Sequence, residues 1–167
     1  ADLVSLSGHK MYGPQGIGAL FIRRDVQRAM KPIIYGGGQQ NGLRSGTVPV
    51  ALAVGMGKAL EMCSSEHSAL DIQNVRKLRD QFTNAILQKV PGSKLNGPPL
   101  EHRHPGNANI YFPKINAEDF LLSLQPRLAA STGSACTTGI PEPSHVLRAM
   151  GLTAQQADSS IRFSIGK

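Results

Sequence analysis

The chain has 167 residues, of which 40% are hydrophobic and 17% charged, which excludes a disordered polypeptide and allows a packed core. Its formal net charge of +7 raises nucleic acid as a partner, but the basic residues are scattered and no aromatic residues alternate with them. No apolar stretch approaches the roughly 20 residues that cross a bilayer, and the two cysteines do not resemble a disulfide framework. We therefore expect a cytoplasmic protein that binds neither nucleic acid nor a membrane.

Two short apolar runs, residues 3–6 and 18–22, predict buried strands that pair as neighbours. A turn rich in glycine and proline joins them. The segment SLSGHK, residues 5–10, places Lys10 where the first strand ends. This lysine is therefore the first candidate for chemistry.

A lysine that lies among small residues can be partly desolvated. Desolvation favours the neutral amine, and the neutral amine reacts with an aldehyde cofactor. Lys10 has such neighbours. The hydroxyls of Ser5 and Ser7 and the ring of His9 can hold a phosphate close to that amine. The alternative interpretation is an ordinary exposed lysine in a loop.

Residues 36–47 contain too many glycines for regular structure and form a loop long enough to be functional, the alternative being a flexible linker. Small and apolar residues then predict a tightly packed helix over residues 48–66, with Pro49 in its first turn. Cys63 lies within this helical pattern, where we expect an ordinary packed thiol.

A further helix follows, for which Ser68 is a candidate N-cap and the Pro-Gly pair at 91–92 is the end. Its large apolar residues recur at helical spacing and predict a face packed in a core. They are Leu78, Phe82, Ile86 and Val90. The break near residue 67 is the expected domain boundary.

The remaining sequence alternates between predicted strands and helices, which is the pattern of an α/β protein. The predicted strands are residues 107–112, 128–131 and 161–165, and the predicted helices are residues 118–124 and 144–150, the latter capped by Ser144. Because the chain begins just before one strand and ends in another, we expect it to be a piece of a longer polypeptide.

A second candidate for chemistry is Cys136, within the segment AASTGSACTTG at residues 129–139. Its immediate neighbours are glycine, alanine and small hydroxyl residues, which leave a backbone flexible and a sulfur accessible. Such a thiol suits a group that must travel to a substrate. The alternative is a small packed thiol, since free cysteines are commonly buried.

Four motifs occur in order from end to end of the chain: SGHK at 7–10, RSGT at 44–47, SAC at 134–136 and SIRF at 160–163. Together they resemble the cysteine desulfurases, which belong to the class V aminotransferase-like family of pyridoxal-phosphate enzymes. The extended segment at 133–142 is similar to that of the housekeeping and nitrogen-fixation-associated group.

The resemblance implies an α/β fold of the pyridoxal-phosphate-dependent transferase type, fold type I. Residues 1–66 would then form the end of the large cofactor-binding domain with its connecting helix. Residues 67–167 would form the small C-terminal domain that carries the catalytic cysteine.

The implied reaction removes sulfur from L-cysteine and gives L-alanine and a persulfide on Cys136. By the same resemblance, Lys10 holds pyridoxal 5'-phosphate and acts as the base at the substrate Cα. Ser7 and His9 contact the cofactor phosphate, and His9 is also the candidate that deprotonates the thiol. Arg162 binds the substrate carboxylate, because a planar guanidinium forms two parallel hydrogen bonds with it.

The resemblance also implies partners. Thr47 resembles the residue that reaches the phosphate of the partner's cofactor across a dimer interface, which predicts a homodimer for the intact protein. The sulfur acceptor is expected to be an iron–sulfur scaffold or another acceptor protein, with Cys136 as a transient iron–sulfur contact. We expect no resident metal, since His102 and His104 lie in a predicted loop without a third ligand.

The chain departs from the family in two respects. It lacks the segment that carries the histidine stacked on the cofactor ring and the aspartate paired with its pyridine nitrogen, so we expect the chain alone to be inactive and not to bind the cofactor tightly. Residues 39–42, with sequence QQNG, place neutral amides where relatives have a charged pair. The alternative functions are a selenocysteine lyase, another class V enzyme such as an aminotransferase, and a non-catalytic sulfur-relay or interaction module.

Overall fold

The structure, a computed structural model, describes residues 1–64, 66–132 and 142–166. Its strands are β1 (Leu3–Ser7), β2 (Gly18–Ile22), β3 (Lys94–Leu95), β4 (Asn107–Tyr111) and β5 (Ser160–Ser164). Its α-helices are α1 (Arg24–Gln27), α2 (Val50–Ser64), α3 (Glu66–Lys89), α4 (Ala117–Ser123), α5 (His145–Ala149) and α6 (Ala154–Asp158). Short 3-10 helices cover Gly8–Met11, Gln39–Gly42 and Leu100–His102. Within these described ranges, no helix has both the length and the apolar character that crossing a membrane requires.

The chain divides into two compact units, and the first, Ala1–Ser68, begins with an antiparallel ribbon of β1 and β2, paired as the sequence predicts. The expectation that β1 is buried is wrong. Leu3 and Val4 point to opposite faces of the ribbon, and both are exposed. The reason is that no described residues form a layer that covers either face.

Helix α2 supplies the packed part of the first unit. It begins directly after Pro49, whose carbonyl accepts a helical hydrogen bond of 3.0 Å, so the helix starts two residues later than predicted and Pro49 precedes it. Met56 and Ala59 are its buried residues. A Cβ placed on Gly13 would lie 3.2 Å from the Cβ of Ala59, so α2 packs directly against the turn that follows β1.

The second unit, Ala69–Lys167, is built on an antiparallel sheet in the order β3-β4-β5. Ala108 and Ile110 of β4 are fully buried and lie opposite Phe163 and Ile161 of β5. Phe82 of α3 packs edge-on against Phe163, with ring centroids 4.8 Å apart. Helix-on-sheet packing around these residues forms the core of the second unit and confirms the predicted α/β class.

Helix α3 ends before the Pro-Gly pair, as predicted, but two details of the prediction are wrong. Ser68 lies inside the helix and not at its N-cap, because the helix already begins at Glu66. The predicted core face is only partly buried: Phe82 and Ile86 pack against the core, whereas Leu78 is 54% exposed. Residues spaced by four drift by about 40° per step around a helix, so such a stripe turns away from the sheet.

The strand predicted at residues 128–131 does not form. The N–H groups of Arg127 and Leu128 donate to the carbonyl of Leu124 at 2.7 and 3.2 Å, which satisfies the backbone in a helical turn after α4. Only Ser131 reaches the sheet, as an isolated bridge to Arg162 of β5.

Helix α6 is a short element that the sequence pattern did not predict. A capping box starts it: Thr153 Oγ1 accepts from the Gln156 N–H at 3.2 Å, and Gln156 Oε1 accepts from the Thr153 N–H at 2.9 Å. The predicted helix at 144–150 is confirmed as α5, with the Ser144 side chain accepting from the Leu147 N–H at 3.5 Å.

A fully buried arginine ties α3 to the chain segment before β4. Arg79 donates through Nη1 to the carbonyl of His104 at 3.0 Å and through Nη2 to the carbonyl of Leu100 at 2.9 Å. Its Nε pairs with Asp80 Oδ1 at 2.6 Å. The charge is therefore compensated where it is buried, as such a group requires.

Candidate functional site

The first cluster of predicted site residues occupies the turn between β1 and β2. Strand β1 ends at Ser7, and the 3-10 helix Gly8–Met11 that follows carries His9 and Lys10. The turn closes on itself, because the Gly8 N–H donates to the carbonyl of Ile17 at 3.0 Å and the Gly13 N–H donates to the carbonyl of Gly8 at 2.9 Å. Lys10 is thus held on a short, internally bonded turn.

Gly8 has no room for a side chain. A Cβ there would lie 2.8 Å from the carbonyl oxygen of Pro14 and 2.9 Å from Cγ2 of Ile17, both closer than real Cβ atoms approach. Any other residue would push the turn apart and move Lys10, two positions later. The glycine of the SGHK motif therefore fixes where the lysine stands.

The side chains of Ser7 and His9 are in contact, with Ser7 Oγ 3.2 Å from His9 Nδ1. His9 and Lys10 are exposed, so the described residues do not desolvate the lysine amine as the sequence led us to expect. A hydroxyl and an imidazole bind phosphate oxygens, and an amine is the nucleophile that an aldehyde requires. The three residues therefore fit a phosphate-bearing aldehyde such as pyridoxal phosphate.

Cys63 stands beside this turn: its Sγ lies 3.7 Å from the carbonyl oxygen of Met11, the residue after Lys10. The thiol is exposed, so the prediction of an ordinary packed cysteine is wrong. It lies near the end of α2, where the described residues leave one side of the helix open.

Thr47, the residue predicted to act across a dimer interface, is exposed at the end of the glycine-rich loop. The loop is ordered around Ser45, which is buried and donates from Oγ to the carbonyl of Gly37 at 2.8 Å. Gly46, with φ of +114°, then turns the backbone between Ser45 and Thr47 in a conformation that favours glycine. Among the described residues, no hydrogen bond joins Thr47 to the turn that carries Lys10.

Arg162 lies in the second unit, at the centre of β5, and is half-buried. It has a backbone neighbour on each side. Asn109 of β4 is its register partner, and Ser131 forms a bridge in which the Arg162 N–H donates at 2.7 Å and the Ser131 N–H donates at 3.2 Å. Directly opposed residues of antiparallel strands place their side chains on one face. Asn109, Arg162 and Ser131 therefore share a face of the sheet.

Cys136 lies outside the described residues, as do the others of its glycine-rich segment from 133 to 141. On the N-terminal side of that segment, the last residues described are Ser131, which is bridged to Arg162, and Thr132. The sequence-predicted residues thus fall into two groups: Ser7, His9 and Lys10 share one turn, whereas Arg162 lies in the other unit.

A hydrogen-bonded set of polar side chains next to Arg162 was not predicted. Asn96 Nδ2 donates to Asn109 Oδ1 at 2.7 Å and to Ser160 Oγ at 2.9 Å, and Ser160 Oγ donates to the carbonyl of Gln156 at 2.7 Å. The only signal in the sequence is the alternation of polar residues along β4, which predicts one polar face but not its partners.

In the part of the chain that the structure describes, no three His, Cys, Asp or Glu side chains come together as metal ligands. His102 ends a 3-10 helix where a loop was predicted, whereas His104 lies in the loop that follows, and its Nδ1 accepts from the Gly106 N–H at 3.2 Å.

Known proteins are similar to this chain over nearly all of its length. The family Aminotransferase class-V matches residues 1–167. "Cysteine desulfurase IscS" of Rickettsia typhi is 46% identical over 166 residues, which are 99% of this chain and 40% of that protein. "Cysteine desulfurase, mitosomal" of Encephalitozoon cuniculi is also 46% identical, over 99% of this chain and 38% of that protein. A solved structure of a NifS-like protein has a TM-score of 0.85 and 32% identity, covering 99% of this chain and 41% of its own.

The chain spans about two fifths of the length of the curated relatives that it matches. Within that part, its fold is that of the NifS-like structure, as the four sequence motifs implied.

Proposed function

The chain belongs to the class-V aminotransferase family, and from this premise we propose that the protein that carries it is a pyridoxal-phosphate-dependent cysteine desulfurase. It converts L-cysteine to L-alanine and leaves the sulfur as a persulfide on Cys136. The names of its relatives support this reaction. The observation that carries the proposal is the turn that presents Lys10 beside the Ser7–His9 pair.

Pyridoxal phosphate, when bound, supplies the electron sink for bond breaking at the substrate Cα. Lys10 binds the cofactor through Nζ, and the same amine takes and returns the Cα proton. Ser7 and His9 bind the phosphate group, and the 3.2 Å contact between Ser7 Oγ and His9 Nδ1 holds the two side chains together. The rigid turn around Gly8 keeps amine and phosphate donors at a fixed spacing.

Arg162 binds the substrate carboxylate with its guanidinium group. A residue in the middle of a strand, bonded to the backbone on both sides, is well suited to hold one orientation. Within the described residues no carboxylate pairs with it, so the guanidinium is available for an anionic ligand.

The Cys136 thiolate accepts the sulfur: a sulfur–sulfur bond forms while the carbon–sulfur bond of the substrate breaks. The thiol must first lose its proton, since only a few per cent is ionised at neutral pH with an ordinary pKa of about 8.5. We assign that proton to His9. Cys136 follows Ser131 by five residues, a length of chain that spans at most about 18 Å, and Ser131 is the bridge partner of Arg162.

The wider roles follow from the same proposal. Residues 1–66 belong to the large domain and residues 67–167 form the small domain with the catalytic cysteine. The intact protein is a homodimer in which Thr47 contacts the partner's cofactor phosphate. It works in the cytoplasm and passes sulfur from Cys136 to an iron–sulfur scaffold or another acceptor protein.

The test uses the full-length protein with Lys10→Ala and, as a matched control, Lys31→Ala, an exposed lysine of the same unit. After borohydride reduction, mass spectrometry should find the cofactor on the Lys10 peptide of the wild type and the control. Lys10→Ala should retain none. Cofactor trapped on another residue would contradict the assignment.

Cys136→Ser should abolish persulfide formation from L-cysteine, whereas Cys63→Ser, at the other cysteine of the chain, should leave it unchanged. Persulfide is detected by alkylation and mass spectrometry, and alanine by chromatography. An aminotransferase would not require Cys136, so equal turnover by the Cys136→Ser variant would refute the desulfurase assignment.

A further inference from the structure

The sheet of the second unit has one apolar and one polar face. Ala108, Ile110, Ile161 and Phe163 form the core side. The alternate positions of β4 and β5 are polar apart from one tyrosine. In register, they are Asn107 with Ser164, Asn109 with Arg162, and Tyr111 with Ser160.

A chain of hydrogen bonds across this face fixes which end of the Asn109 amide is engaged. The Ser160 hydroxyl donates its single proton to the carbonyl of Gln156 at 2.7 Å, so its oxygen can only accept from Asn96 Nδ2, 2.9 Å away. The second proton of that Nδ2 group then goes to Asn109 Oδ1 at 2.7 Å. Asn96 and Ser160 are both buried, which makes this order of donors and acceptors costly to reverse.

The amide oxygen of Asn109 is therefore already hydrogen-bonded to Asn96, and its NH₂ group is the part that can donate to a ligand. Among the described residues, that NH₂ group has no acceptor. Its strand neighbour across the ladder is Arg162, whose guanidinium also carries only donors. Side chains of directly opposed residues stand about 5 Å apart at Cβ. Two residues that offer only donors, at opposed positions on one face of the sheet, suit a carboxylate.

We propose that Asn109 is a second carboxylate-binding residue, which donates an Nδ2 proton to the same substrate carboxylate that Arg162 binds. The inference rests on the proposed function for the identity of the substrate, L-cysteine. Asn96 and Ser160 are positioning residues, because they act only through the amide of Asn109. The pair discriminates amino acids from amines that lack a carboxylate.

The experiment replaces Asn109 in the full-length, cofactor-loaded protein. Asn109→Asp keeps an oxygen for Asn96 but replaces the donating NH₂ by an anionic oxygen, which pairs with Arg162 and repels the substrate. We expect KM for L-cysteine to rise about a hundredfold, and about tenfold for Asn109→Ala, which only removes the donor. The kcat should stay within about threefold, because a carboxylate contact is equal in the ground and transition states.

Asn107→Asp is the matched control. It makes the same change on the same strand and the same face, one register pair from Arg162, and should change KM less than about twofold, since diagonal neighbours stand about 7 Å apart. Inhibition by L-alanine and by ethylamine supplies a second readout. Asn109→Ala should weaken inhibition by L-alanine about tenfold and leave inhibition by ethylamine unchanged. Loss of structure alone would weaken both.

The outcomes separate the two proposals. A wild type that forms no alanine from L-cysteine overturns the proposed function and this inference with it. An active wild type with the same KM in Asn109→Asp overturns the inference alone. If Asn109→Asp and Asn109→Ala are both insoluble, the amide is required for the sheet to fold and not for substrate binding, and the inference is likewise overturned.

Discussion

The two units of the chain bury their apolar residues very differently. In the second unit, Ala108, Ile110 and Ile161 are completely buried and surrounded by side chains from helix, sheet and loop. Among the described residues of the first unit, the buried apolar side chains are Met56 and Ala59 of α2. The ribbon of β1 and β2 leaves large apolar side chains exposed on both faces.

The difference shows how each group of site residues is held. Arg162 and Asn109 stand on a sheet that has a core of its own, so their geometry follows from packing. Lys10 stands on a turn that local hydrogen bonds and tight glycine positions define. A two-stranded ribbon is marginally stable by itself. In this 167-residue chain, strands β4 and β5 should therefore be more stable than strands β1 and β2.

The largest expected effect tests this difference directly. Ile110→Ala should lower the free energy of unfolding of the second unit by about 4 kcal/mol, because the side chain is fully buried. Leu20→Ala, at an exposed position of β2, should cost less than about 0.5 kcal/mol. A urea titration followed by NMR of individual amides measures both units at once. Equal losses of unfolding free energy in Ile110→Ala and Leu20→Ala would show that the two units do not differ in how much their apolar residues stabilise them.

The buried charge of the second unit gives the next effect. Arg79→Met should cost about 2 kcal/mol, since it removes the hydrogen bonds of a fully buried guanidinium to the partly buried carbonyls of His104 and Leu100. Arg76→Met, an exposed arginine on the same helix, is the control and should be neutral within about 0.5 kcal/mol. Thermal unfolding by circular dichroism compares the two. If Arg76→Met destabilised as much, the helix surface and not the buried bonds would be responsible.

Arg79 also influences a neighbouring arginine. Burial and the nearby positive charge of Arg79 lower the pKa of Arg103. The guanidinium of Arg103 nevertheless stays bonded to the carbonyl of Asn96 at 2.6 Å. The segment before β4 is thus held by two arginines, and the carbonyl groups around them offset their mutual repulsion.

Local sequence pattern was sufficient for most elements of this fold. The ribbon of β1 and β2, the start of α2 and the end of α3 are encoded within a few residues by apolar runs, proline and glycine. Strand β3, with its two residues, carries no periodic signal. Helix α6 is also short, although the Thr153–Gln156 spacing is the sequence signature of a capping box.

The sequence did not predict which strands are buried or which distant residues hydrogen-bond to each other. An apolar run such as that of β1 is typical of a strand covered on both sides, yet nothing in the run states where the covering layer lies. The motif at Lys10 was visible because its residues are adjacent. The Asn109 amide was not, because its orientation depends on Asn96, 13 positions away, and on Ser160, a further 64 positions from Asn96.

The smallest effect contrasts an exposed ion pair of the first unit with the buried Arg79 of the second. Two hydrogen bonds from Arg23 to Asp25, of 2.6 and 2.7 Å, lower the pKa of the Asp25 carboxyl below its ordinary value. The pair therefore favours the folded state above the unfolded pKa of about 3.9, and this contribution is lost as the pH falls through the lower folded value.

Arg23→Gln should return the pKa of Asp25 towards its ordinary value, whereas Arg24→Gln, one residue later and without a bond to Asp25, should not. Carboxyl carbon NMR over pH 2 to 6 measures the titration. High salt should shrink the wild-type shift, since exposed charges are screened. Because the pair is exposed, neither substitution should move the unfolding midpoint at neutral pH measurably. A midpoint shift as large as that of Arg79→Met would mean that the ribbon depends on its charges and not on its backbone pairing.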